Sequence, residues 1–537
     1  MTELSGRELP GRYPVDSRAE VASDWKLERV TPPSRLYGAN GMRVGPDGRI
    51  YVAQVSGSQI SAIDPRTGDV QTISPMGGDI VAPDDLVFDP DGNLYATEIT
   101  EGRVCMRTPQ GETRVIRADM PCSNPITWHQ GRLFAGECRP GGRVMELFID
   151  GREPRVLLDN APMPNAMEVG PDGKLYIPMM AVNEIWRISL DGGEPEVVAR
   201  DLGVPDAVKF DDDGFIVSTQ VASGQVLRVN PRTGEKSELA YISPGLDNLV
   251  FLGDRLFVSS ISGQVNEILS GGEVRSLIPD GLNWPLGLAV NPDGSLLVAD
   301  GGFCYTLRPG SSLERAGVFF APGYPGYVRG VVAVGENEYI VTTANGQVAR
   351  WSPAQQHSDV LADGYERLYG VAVADSGAIL FVDAAKGELY ALQSGQVEVL
   401  ASGMNEPLGV AITADGTALV AEEGAGRIVK PAAGGGVETV LDGLQKPQGI
   451  LVRGDLLFVV DAGAKQLVQY HLGSGERRTI ASELPVGSPP GVEPKFLKAI
   501  PPLSGPMGPF AGIAAGADGT LYISADGEGS VMALRPL

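Results

Sequence analysis

Two periods run through the hydrophobic pattern of this chain. Inside short runs, apolar and polar residues crowd into strand-length segments, as in Ile50-Tyr51-Val52, Leu94-Tyr95-Ala96 and Leu133-Phe134-Ala135. Between such runs the pattern returns about every 40 residues. Met163 to Ile177 shows the unit, with β-prone residues on both sides of a Pro171-Asp172-Gly173 turn triplet. That arrangement predicts a β-hairpin. A third strand follows, as in 224–229, and a fourth, as in 236–240. Four antiparallel strands at a fixed period predict a β-propeller blade. One blade cannot bury its own faces, so blades must pack around an axis.

Twelve inner strands begin near residues 40, 84, 124, 165, 206, 247, 286, 329, 369, 408, 448 and 511. A closed ring typically has about 4–8 blades. The chain therefore reads as all-β, a tandem pair of six-bladed β-propellers with four-stranded blades. Residues 1–24 read as a flexible polar arm, 36–283 as the first propeller and 284–537 as the second. The last blade lacks a fourth strand. Residues 25–35 hold a strand, Trp25 to Val30, that fits the empty slot and would close the second propeller. A proline-rich insertion, Pro485 to Met507, lengthens the last repeat.

At the head of the inner strand the first six repeats carry Asn40, Asp84, Asn124, Asn165, Asp206 and Asp247, at steps of 44, 40, 41, 41 and 41 residues. The second six carry Leu286, Arg329, Tyr369, Leu408, Gln448 and Ala511. Residues at one strand level form a ring on a propeller axis. Three carboxylates in such a ring repel each other, and a divalent cation removes the conflict. Only oxygen donors are present, which suits Ca²⁺ first, with Mg²⁺, Mn²⁺ or Zn²⁺ as alternatives. The expected metal set is these six residues, of which about four would touch an ion.

The second hairpin strand returns to the ring level at Gln54, Glu98, Glu137, Met179, Thr219 and Ser260. Glu98 and Glu137 stand there as candidate catalytic carboxylates or as loop caps. Met179 and Met180 would form an apolar wall. In the second half Asp300, Asp383, Glu422 and Asp461 occupy this level and read as loop caps. His129, His357 and His471 fall in turns, loops or outer strands, which argues against a histidine-dependent lyase or a Ser-His-Asp hydrolase.

The 71 glycines and 41 prolines of the 537 residues fit many tight turns. A net charge of −24 disfavours nucleic acid as a partner. No apolar run is long enough for a membrane span, and none near the start marks a signal peptide. Cys105, Cys122, Cys138 and Cys304 form no CxxC pair and read as free thiols. The expectation is a cytoplasmic protein acting on a small molecule, with its oligomeric state open.

The Leu-Tyr-Val-Ala-Asp-like strands and Pro-Asn-Gly-like turns resemble those of the gluconolactonase family that includes regucalcin (senescence marker protein). The resemblance to NHL-repeat and strictosidine synthase propellers is looser. It implies one divalent ion held by a Glu, two Asn and an Asp from inner strands. Asn124, Asn165 and Asp206 match the Asn-Asn-Asp run on successive blades, whereas Asn40 stands where the family has Glu. The resemblance further implies that Asp206 is the base of lactone hydrolysis. Metal-dependent hydrolysis of a lactone or related cyclic ester is thus the leading expectation. A metal-assisted lyase or isomerase, and a binding scaffold with structural calcium, are the alternatives.

Overall fold

A computed structural model describes Arg12 and residues 19–537. Among them are twelve antiparallel sheets, eleven of four strands and one of five. Within a blade the strands lie in chain order, as in Met42–Val44, Ile50–Gln54, Gln59–Ile63 and Val70–Ser74. Burial decreases outward. Ile50–Gln54 is wholly buried, while the fourth strand Lys236–Tyr241 is largely exposed. No described helix is long and apolar enough to cross a membrane.

Local chemistry sets the hairpins. Asp89 Oδ1 accepts bonds from the backbone N–H groups of Asp91 (3.0 Å) and Asn93 (2.9 Å), and Gly92 takes the left-handed φ of 81° that the turn requires. Blades then pack through aromatic pairs between a second strand and the next blade's first strand. Tyr51–Phe88, Tyr95–Trp128 and Tyr176–Phe210 lie 4.9, 5.6 and 4.9 Å apart between ring centroids.

Trp25–Arg29 pairs antiparallel with Ser530–Pro536, from Trp25↔Pro536 to Arg29↔Met532. This supplies the strand that the last blade lacks. The arm departs from expectation at its end. Glu20–Val21 is a strand on Arg477–Ser482, making the five-stranded sheet. Arg12 is buried, and its guanidinium donates to the carbonyls of Leu282 (3.3 Å) and Asn283. Residues 1–11 and 13–18 lie outside the described residues.

Two compact units result. Residues 35–281 belong to one and 282–490 to the other. The proline-rich insertion is divided. Gly491–Pro502 belongs to the first unit, where Lys498 pairs with Glu101 at 2.7 Å, and Leu503–Leu537 belongs to the second.

At the axis, the first strand of several blades bulges. The paired register skips Asp84-Asp85, Asn124-Pro125, Asp206-Ala207 and Asp247-Asn248 in the first propeller. It skips Arg329-Gly330, Tyr369-Gly370, Leu408-Gly409 and Gln448-Gly449 in the second. A bulge breaks the strict alternation of side chains and re-aims the skipped residues. Each residue that follows the second ring is a glycine: 287, 330, 370, 409, 449 and 512. A Cβ on any of them would stand 2.1–2.6 Å from the ring carbonyl of the next blade. Hydroxyls clasp the same carbonyls. Thr342 and Ser524 donate to Tyr369 O and Leu286 O, as Thr219 and Ser259 donate to Asp247 O and Asn40 O. The Ser259 and Ser524 clasps close the two rings.

Removing residues 1–34 strips the outer strand from Ser530–Pro536 and the fifth strand from Arg477–Ser482. Hydrogen exchange should then accelerate in 477–482 and 513–536 and stay near wild-type rates in 83–260. Equal acceleration in both segments would contradict this closure. Gly409→Ala, whose Cβ would meet Gln448 O at 2.1 Å, should lower stability by about 1–3 kcal/mol in chemical denaturation. Unchanged stability would show that the glycine ring is not a packing requirement.

Candidate metal centre and active site

The six ring residues of the first propeller come together as one polar layer. Asp84, Asn124, Asn165, Asp206 and Asp247 are buried and Asn40 is partly exposed. Neighbours in the ring touch. Asn124 Nδ2 donates to Asn165 Oδ1 at 2.7 Å, and Asn165 Nδ2 donates to Asp206 Oδ2 at 3.0 Å. Across the closure, Asn40 Nδ2 donates to Asp247 Oδ2 at 3.1 Å. Asn40 Oδ1 accepts from Val55 N–H, and Asn165 Oδ1 from Ala166 N–H.

Two features of the layer are unsatisfied. Asn124 Oδ1 is buried with no hydrogen-bond partner. The three carboxyls also oppose one another. Burial first, and the charge of Asp85 second, raise Asp84 from 3.8 to about 7. Burial, then the charges of Asp84 and Asp85, push Asp206 well above the usual carboxylate range. Asp247 is pushed up by burial and by Asp206 and Asp84, against the bond from Asn40. An oxygen-only set with an orphaned amide oxygen and mutually repelling acids fits a hard divalent cation. Among the described residues no three His, Cys, Asp or Glu side chains form a ligand group by themselves. A cation here would therefore be held by mixed amide and carboxylate oxygens.

A second charged layer lies one step along the same strands. Arg43 faces Asp85 at 3.6 Å, and Lys209 pairs with Glu168. Asp85 is also held by the backbone N–H groups of Leu86 (2.9 Å) and Ile126 (3.1 Å). Sequence reasoning missed this layer. Its signal was the charged residue three positions after Asn40, Asn165 and Asp206, all apolar strand positions in a plain alternation.

Glu98 and Glu137 are fully buried beside the ring, and both are engaged. Glu98 Oε1 accepts from Val81 N–H at 2.5 Å and from Arg103 at 2.8 Å. Glu137 is bound by Arg139 (2.9 Å), Arg143 (3.0 Å) and Arg143 N–H (3.2 Å). The second propeller uses its carboxylates in the same way. Asp383 accepts from Glu366 N–H (2.9 Å), Glu422 from Asn405 N–H (2.7 Å) and Asp461 from Gln445 N–H (2.9 Å). Of the two expected readings, the geometry of Glu98 and Glu137 is that of a loop cap. Thr219 does not share their level. Gln220 pairs with Pro205 there and accepts from Gly203 N–H at 2.9 Å, while Thr219 forms a clasp. Met180 does line the ring, its Sδ accepting from Asn165 Nδ2 at 3.1 Å, with Cys138 Sγ 4.0 Å away. All four cysteines are buried free thiols. His357 is exposed and pairs with Asp359 at 3.0 Å, away from the ring.

No protein-family model matches the chain. Over 143 residues, 26% of the chain, it is 30% identical to a gluconolactonase of Zymomonas mobilis subsp. mobilis. That stretch is 33% of the relative, so the chain matches about a third of the relative's length. A solved streptogramin B lyase aligns with 52% of this chain and 96% of its own, at 19% identity and a TM-score of 0.39. A virginiamycin B lyase from Staphylococcus aureus aligns with 51% and 96%, at 17% identity and a TM-score of 0.38. Identities this low carry neither lyase's activity to this chain. Its own sheet topology makes the chain a tandem β-propeller, and one stretch of it is similar to a gluconolactonase.

Proposed function

We propose that the first propeller is a divalent-metal-dependent hydrolase of lactones or related cyclic esters. The observation that carries this reading is the ring itself: three buried, mutually opposed carboxyls and an orphaned Asn124 oxygen on one axis. The stretch shared with a gluconolactonase supports the choice of substrate class. Asn124, Asn165, Asp206 and Asp84 would hold the cation, Ca²⁺ being the best fit to the donors. When bound, such an ion supplies positive charge for a developing oxyanion and lowers the pKa of water.

Asp206 is the proposed base. Its Oδ2 is fixed by Asn165 Nδ2, which leaves Oδ1 to take a proton from an attacking water. The hydroxide equivalent adds to the lactone carbonyl, the ring C–O bond breaks, and the proton passes to the departing alkoxide oxygen. The product is the open-chain hydroxy acid. Asn165 thus orients the base as well as serving as a ligand. Glu98 and Glu137 hold the loops beside the ring and leave the chemistry to Asp206.

Chelation should abolish turnover of simple γ- and δ-lactones, and Ca²⁺ should restore it, with one ¹⁸O atom from labelled water in the product. Turnover that survives chelation, or a product without solvent oxygen, would contradict the proposal. Asp206→Asn should lower kcat by ~10²-fold or more. Asp206→Ala should weaken metal binding by at least roughly tenfold. Glu98→Gln and Glu137→Gln should lower melting temperature while keeping kcat within about threefold of wild type, since a lost buried ion pair is a stability effect. A large kcat loss in either at unchanged metal affinity would transfer the base role to it.

Stability should also depend on pH in a defined direction. A carboxyl raised from 3.8 to about 7 in the folded state carries no penalty below its unfolded value. The penalty grows as pH rises and is complete above about 7, where the buried group must ionise. Without metal, the first propeller should therefore lose stability between pH 4 and 8. Ca²⁺ should stabilise it more at pH 8 than at pH 5, read by hydrogen exchange in residues 83–260. A calcium effect that is equal at both pH values would contradict the charge-repulsion account.

A further inference from the structure

We infer that the axis of the second propeller is a binding site for a small organic monocarboxylate with an apolar body, anchored by Arg329. This rests on the second propeller alone and not on the hydrolase reading of the first.

Arg329 occupies the ring position of its blade and is 2% exposed. Its Nη1 donates to Leu368 O at 2.9 Å, and its guanidinium lies over the Tyr369 ring at 4.5 Å. Its Nη2 is buried and has no acceptor. No described carboxylate pairs with it. Asp383 and Arg367 act on it only at longer range and with opposite signs, and the oxygens of Asp383 already accept from the N–H groups of Glu366, Arg367 and Ala385. In the first propeller's charged layer the cations are paired, Arg43 with the Asp85 carboxylate and Lys209 with the Glu168 carboxylate, whereas buried Arg35 has only the Gly68 carbonyl. A buried, unpaired guanidinium is costly, and a bound anion supplying the counter-charge would offset that cost.

What surrounds Arg329 sets the class of ligand. The other ring members are Leu286, Tyr369, Leu408, Gln448 and Ala511, all buried. Gln448 is engaged elsewhere, its Oε1 accepting from Ala511 N–H at 2.7 Å and its side chain bonded to the Glu423 carboxyl. Phe510, one residue before the ring position of the last blade, reaches the Tyr369 ring three blades away, at 5.9 Å between centroids. It therefore lies across the axis. Leu286, Tyr369, Leu408 and Phe510 form one apolar cluster. Phe510 follows the longest insertion of the repeat, Pro485 to Met507, and its ring lies beside the axis that holds the unpaired charge. One positive charge in an apolar ring with an aromatic cover matches a monoanion with a hydrocarbon portion. Inorganic phosphate would bring surplus charge and nothing apolar.

The test is titration calorimetry of the full chain with butyrate and benzoate, and with inorganic phosphate as the contrasting anion, with hydrogen exchange followed in residues 328–412. The carboxylates should bind and slow exchange there, and phosphate should not. Arg329→Met should weaken carboxylate binding by roughly tenfold or more. Without ligand, the same variant should match or exceed wild-type stability, because an apolar chain of similar length replaces an uncompensated charge. Arg329→Lys, which keeps the charge, should retain part of the binding. Absence of carboxylate binding to the wild type would overturn the inference, as would phosphate binding in preference to both carboxylates. So would undiminished binding by Arg329→Met, or a marked loss of ligand-free stability in it, which would make Arg329 a structural residue.

Discussion

The rest of the structure depends on the close approach of six first strands to one axis. Backbone from neighbouring blades meets there, and the chain must either remove side chains or fill the space with groups that can live together. The second propeller removes them. Its six glycines let each strand rest against the next ring carbonyl, where a Cβ would stand at 2.1–2.6 Å. The first keeps a glycine only at 41 and places Asp85, Pro125, Ala166, Ala207 and Asn248 at the other five positions. Its two charged layers lie at that axis. One scaffold thus gives a glycine-lined ring and a polar one, and they differ at the ring residue and the residue after it.

The polar ring is a stressed arrangement. Amide side chains bridge the acids where they can, through Asn165 to Asp206 and Asn40 to Asp247. They do not neutralise the acids. Burial first, and the charges of neighbouring acids including Asp85 second, raise all three carboxyls, and Asn124 keeps an oxygen without a partner. A cation bound there would relieve both conflicts at once and, on the proposed function, let Asp206 serve as an ionised base near neutral pH. Glu98 and Glu137, equally buried, are at ease because arginines and backbone N–H groups already satisfy them. The contrast separates acids satisfied by the protein's own donors from acids that are not.

Most of the architecture was legible in the sequence, because a repeat multiplies weak signals. A single hairpin is ambiguous, but twelve in register give the blade count, the ring and the missing strand that Trp25–Arg29 supplies. Three features were not legible. The bulges at Asp84-Asp85 and its counterparts are changes of register, and a plain alternation of strand residues does not encode them. They re-aim Asp85 beside Arg43, while Gln220, at the same offset from Asp206 as Glu98 from Asp84, holds the second-strand level in place of Thr219. The capping role of Glu98 depended on which arginine reached it, a contact five residues along that turns on the third strand's position. The strand at Glu20–Val21 is too short for any pattern, and its pairing partner lies more than 450 residues away.

The central claim is that the three ring aspartates are held in conflict until a cation arrives. Carboxyl ¹³C resonances of Asp84, Asp206 and Asp247, followed against pH with and without Ca²⁺, test it most directly. The account predicts that without metal Asp84 titrates near 7 and the other two well above the usual carboxylate range, and that with Ca²⁺ all three are ionised by about pH 6. Titration of all three near pH 4 without metal, unmoved by Ca²⁺, would contradict it.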